Sequence, residues 1–130
     1  MEEKTFGHEE LEGVEPIKNK DLFVEHLETR FRGAKRRQVR IRCDVEIVLR
    51  NWNKVDHGRA TMVDLSATGA FLTNFDLNKK VFPAKPFYMR IRFRNRDLRG
   101  WQIVAEPVRL SMSDGKFGMG VRFIKYDVRA

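Results

Sequence analysis

A chain of 130 residues, 42% hydrophobic and 34% charged, has the size and balance of one globular domain with one modest core. Its single cysteine excludes an internal disulfide, and no apolar run reaches the roughly 18 residues that a transmembrane helix needs. The net charge of +8 is uneven: residues 1–30 carry four basic and nine acidic groups, net −5, and the remainder carries net +13. A body that basic attracts anionic ligands or polyanions. The acidic, polar start Met1-Glu2-Glu3-Lys4 is unlike a signal peptide, so the cytoplasm is the expected location.

Residues 1–16 are rich in glutamate and lack a hydrophobic period, which predicts a disordered tail ending at Pro16. A helix is expected over residues 17–33, strongest from Lys20 to Arg32, because Phe23, Leu27 and Phe31 recur every four residues. Asn19 is its expected N-cap and Gly33 its stop. Four cations then crowd Lys35–Arg40, which predicts a flexible loop that orders around an anion.

From Ile41 the period changes to two. Ile41, Cys43, Val45, Ile47 and Leu49 alternate with polar residues, so Ile41–Arg50 is a strand with one apolar face. Further strands are expected at Arg59–Leu65, Ala70–Asn74, Phe87–Arg94, Arg99–Met112 and Lys116–Tyr126. Pro107 predicts a bulge or edge position, Asp114-Gly115 a type I′ hairpin turn, and Gly118 and Gly120 a bend or close packing. Six such strands with one N-terminal helix fit a mainly β, six-stranded antiparallel barrel.

The chemistry concentrates in two stretches. Arg36-Arg37-Gln38-Val39-Arg40 precedes the first strand, and Asp64-Leu65-Ser66-Ala67-Thr68-Gly69 forms a corner between strands. Arginine presents a planar fork that suits phosphate oxygens and the O6/N7 edge of guanine. An ionised Asp64 accepts from guanine N1 and N2, Ser66 both donates and accepts, and Gly69 permits close approach.

Arg36-x-x-x-Arg40 followed by Asp64-x-Ser66-x-x-Gly69 resembles the paired motif of the PilZ domain family, and Gly118–Phe123 resembles that family's last barrel strand. The resemblance spans residues 34–126. It implies a PilZ barrel over 34–130 that binds cyclic di-GMP through Arg36, Arg40, Asp64, Ser66 and Gly69, with Arg37 adding a phosphate contact. The position before the first motif arginine sets ligand stoichiometry in that family, and here it is Lys35, a cation that leans toward a ligand pair. The implied protein is a receptor whose Arg-rich loop and helix move on ligand binding and signal to a partner protein that the sequence does not name.

Nothing points to catalysis. His8, His26 and His57 are far apart, none has metal-ligand spacing with Cys43, Ser66 lacks a nearby histidine, and no glycine-rich phosphate loop occurs. No cofactor and no metal are expected. Two rival readings stand. One is a nucleotide-independent adaptor. The other is a single-stranded nucleic-acid barrel, which the placing of aromatics and arginines on opposite faces of Phe87–Arg94 argues against.

Overall fold

The computed structural model describes residues 16–30 and 37–128. They form one helix, α1 (Pro16–Arg30), and six strands: β1 (Arg37–Leu49), β2 (Lys54–Leu65), β3 (Gly69–Leu77), β4 (Phe87–Phe93), β5 (Trp101–Ser113) and β6 (Lys116–Val128). The strands close into a barrel in the order β1-β2-β3-β6-β5-β4, with every neighbouring pair antiparallel. The mainly β, six-stranded barrel expected from the alternation is the fold.

Alternation in β1 explains the closure. Ile41, Cys43, Val45 and Ile47 are buried, while Gln38, Arg40, Arg42 and Asp44 are exposed. Each strand contributes a similar inner row, and the rows meet in one core that includes Met62, Leu72, Ile91, Ile103 and Met119. A closed barrel leaves no free strand edge along its paired length, which protects against edge-to-edge association. The closing seam is short: β4 pairs with β5 only over Met89–Arg92 against Gln102–Ala105.

Several boundaries differ from the sequence reading, because cross-strand pairing extends strands beyond their alternating centres. β1 begins at Arg37, so Gln38–Arg40 belong to a strand and are not part of a loop. β2 begins at Lys54 and not at the expected Arg59, and β3 runs on past the expected Asn74 to Leu77. The Asp114-Gly115 hairpin is as expected, with φ of 53° and 75°, both in the region a type I′ turn requires. Pro107 also behaves as expected, since the β5–β6 register slips between Pro107 and Arg109.

Helix α1 starts at Pro16, a residue suited to a first helical position because its missing N–H has no intrahelical partner there anyway. That places Asn19 inside the helix, where it is not an N-cap. Its buried Nδ2 donates to the Tyr126 carbonyl at 3.0 Å. Phe23 and Leu27 are fully buried. Phe23 packs edge-on to Trp101 and Phe123, with centroids at 5.0 and 6.0 Å, and against Tyr126 at 5.4 Å. The expected third member of the stripe, Phe31, the stop at Gly33 and the tail before Pro16 lie outside the described residues. No helix among the described residues is long and apolar enough to cross a membrane.

Candidate ligand-binding site

The corner between β2 and β3 is built by a serine. The Ser66 N–H donates to the Gly69 carbonyl at 2.9 Å. The Ser66 hydroxyl accepts from the N–H groups of Thr68 and Gly69 at 3.3 and 3.2 Å, and donates to the Gly69 carbonyl at 3.3 Å. A hydroxyl that satisfies backbone within three residues is a common turn device. β6 clamps the corner from outside: the Phe123 N–H donates to Thr68 O at 2.8 Å and the Tyr126 hydroxyl to Ala67 O at 2.7 Å. Burial pushes the Tyr126 phenol up to about 12, so it remains a donor across the neutral range.

Gly69 has a structural reason of its own. A Cβ there would lie 2.6 Å from the Val121 carbonyl oxygen. The missing side chain lets β3 approach β6 closely.

Cross-strand register then assembles the site. Gln38 pairs with Asp64, Asp64 with Phe71, Phe71 with Gly120, and Gly120 with Arg109. These five residues form one row across β1, β2, β3, β6 and β5. Three bulges interrupt the pairing beside that row: Val39–Arg40 against Val63, Val63 against β3, and Val108 against β6. Bulges bend a strand and re-aim its side chains, and they are frequent next to functional sites. All three line the clefts that follow.

One cleft of about 720 Å³ is bordered by Gln38, Arg40, Asp64, Phe71 and Arg109. An adjoining cleft of about 610 Å³ is bordered by Ser66, Gly69, Phe71, Arg109 and Arg122. Phe71 and Arg109 are common to both. The two clefts therefore bring together Arg40, Asp64, Ser66 and Gly69, the four motif residues that are described in full. Lys35 and Arg36 lie outside the described residues, and Arg37 contributes a backbone pair with Leu65.

The charge at the site is unevenly neutralised. Arg122 is paired with Glu106, which also meets Arg50 at 3.7 Å. Among the described residues, neither Arg40 nor Arg109 makes an ion pair. Arg40 also borders a third cleft of about 720 Å³ with Arg42, Arg59, Arg94 and Asp76. Of these, Arg94 is paired with Asp44 at 3.2 Å.

Sequence reasoning missed Phe71 and Arg109. Their signal was present but indirect: Gly118 and Gly120 stand two apart, hence on one face of β6. A Cβ on Gly118 would lie 2.2 Å from Phe71 Cζ, and one on Gly120 would lie 3.6 Å from Arg109 Cβ. The glycines make room for those two side chains.

Elsewhere Cys43 is buried, with its thiol pushed up to about 12 by burial and then by the neighbouring Asp44 carboxylate. It is chemically quiet. Among the described residues, no cluster of three His, Cys, Asp or Glu side chains is placed to hold a metal ion. Searched against protein-family models the chain matches none, and no curated protein matches it significantly.

Proposed function

We propose that this chain is a PilZ-type receptor for cyclic di-GMP. The observation that carries the reading is that Arg40 and Asp64, two dozen residues apart in sequence, border one cleft beside the Ser66–Gly69 corner. The Asp64 carboxylate accepts from guanine N1 and N2, and Arg40 offers its fork to a phosphate or to the O6/N7 edge. By the motif resemblance, Arg36 also addresses the ligand and Arg37 adds a phosphate contact. Ser66 acts chiefly by shaping the corner, and Gly69 by letting β3 and β6 close beneath it.

A receptor must pass its state on. Tyr126 touches both the corner and the helix: its hydroxyl holds Ala67 O at 2.7 Å, its carbonyl accepts from Asn19, and its ring packs on Phe23. Ligand seated against the corner thus biases the docking of α1, and a downstream protein reads that change in the cytoplasm. The reaction class is binding without catalysis.

The test is calorimetric titration of cyclic di-GMP into the wild-type protein and into Arg40→Ala and Asp64→Ala. Saturable binding is expected, weakened about 10- to 100-fold by either change, since a charge-assisted hydrogen bond contributes about 1.5–3 kcal/mol. Absence of heat and of thermal stabilisation with the wild-type protein overturns the reading. One feature favours the adaptor in that event: Val108, Leu110 and Met112 on β5 are 59%, 65% and 72% exposed, an apolar strip suited to a protein partner.

A further inference from the structure

We propose that Phe71 and Arg109 form a shelf on which a purine base of the bound nucleotide stacks, and that Gly118 and Gly120 are the floor of that shelf. The inference rests on the nucleotide-receptor reading above and adds two contact residues that the sequence motif does not contain.

Glycine weakens a strand, so two on one outward face of β6 call for a compensating role. Here that role is spatial. The Phe71 ring occupies the space above Gly118, where a Cβ would come within 2.2 Å of Cζ and 2.5 Å of Cε2. The Arg109 side chain runs beside Gly120, with Cβ and Nε each 3.6 Å from the position a Cβ would take. The two side chains therefore lie low against β6 and do not stand away from it.

They also hold each other. The Arg109 guanidinium carbon is 5.6 Å from the Phe71 ring centroid, within the range of a cation–π contact. Arg109 is exposed and makes no ion pair among the described residues, so its planar group is available to a ligand. The Val108 bulge lies immediately before it in β5.

Phe71 pairs directly with Asp64, and Phe71 and Arg109 border both clefts. Asp64 addresses the hydrogen-bonding edge of a base, and the shelf addresses a base's face. An aromatic ring and a guanidinium plane are the groups that stack on nucleobases, and the cation also favours the attached phosphate.

The experiment titrates cyclic di-GMP into wild-type protein, Phe71→Leu, Arg109→Lys and Gly118→Ala, and follows guanine H8 by NMR. Arg109→Lys keeps the charge and loses the plane; Phe71→Leu keeps apolar bulk and loses the ring; Gly118→Ala displaces the ring by steric conflict. Expected are an upfield H8 shift with the wild-type protein, its loss in Phe71→Leu, and about 10- to 100-fold weaker binding in Phe71→Leu and Arg109→Lys. The first two variants change half-buried and exposed side chains, so they stay folded even if Gly118→Ala does not. Wild-type affinity in both Phe71→Leu and Arg109→Lys overturns the shelf and leaves the receptor standing. No binding by the wild-type protein overturns both.

Discussion

Glycine 69 shows how one residue can satisfy a motif for a reason the motif does not state. Its missing side chain lets the Val121 carbonyl approach to where a Cβ would be 2.6 Å away, and a backbone carbonyl in a paired strand has no room to yield. Gly69→Ala is expected to lower unfolding stability by about 1–3 kcal/mol, the usual cost of overpacking. Gly120→Ala makes only an ordinary contact with Arg109 at 3.6 Å and is expected to cost much less. Urea unfolding of the two variants checks this: equal midpoints would mean that sterics at the β3–β6 seam do not govern Gly69. Ser66 belongs to the same scale, since its hydroxyl meets Thr68 and Gly69 backbone and is already committed within the corner.

Helix α1 depends on the barrel for its order. Among its residues of described burial, Asn19, Phe23 and Leu27 at successive turns are the buried ones. Phe23 sits among Trp101, Phe123 and Tyr126, so Phe23→Ala opens a cavity in an aromatic cluster. The expected loss is about 3–5 kcal/mol. It is read as a lower denaturation midpoint together with faster amide exchange from Asn19 to Leu27. Wild-type exchange in that segment would show that the cluster does not anchor the helix. The side chain of His26 meets the Asp97 carbonyl and adds a second tether to the 3₁₀ turn at Arg96–Leu98.

Across the whole molecule, ionisable groups make stability depend on pH at both ends. Cys43 is raised from 9.0 to about 12, and Tyr126 from 10.0 to about 12, each chiefly by burial. Between the ordinary and the raised values the folded chain holds protons that the unfolded chain has released. Their contribution is therefore complete below pH 9 and is lost as pH rises toward 12. Urea midpoints measured through that window are expected to fall, and less steeply in Cys43→Ala; a flat profile would contradict the burial of both groups. At the acid end burial alone would raise Glu46, but the hydrogen bond from Arg90 at 2.9 Å and the charges of Lys54 and Arg90 hold it below the usual carboxylate range. Its contribution is present above the ordinary carboxylate value and fades as pH falls through the lowered one.

What is periodic or local was legible from the residues alone. The alternation of Ile41, Cys43, Val45 and Ile47, the Asp114-Gly115 turn and the Pro107 bulge follow from side-chain direction and backbone dihedrals, which depend on near neighbours. The spacing of Phe23 and Leu27 fixed the buried face of α1 in the same way. What depends on register came from the closed barrel. Phe71 and Arg109 are 38 residues apart and meet through Gly120, a pairing no local pattern encodes. Arg40 reads as loop because four cations crowd its stretch, yet pairing with β2 draws it into a bulged strand. Strand registers form as the whole barrel closes, and that closure sets which outward residues share a cleft.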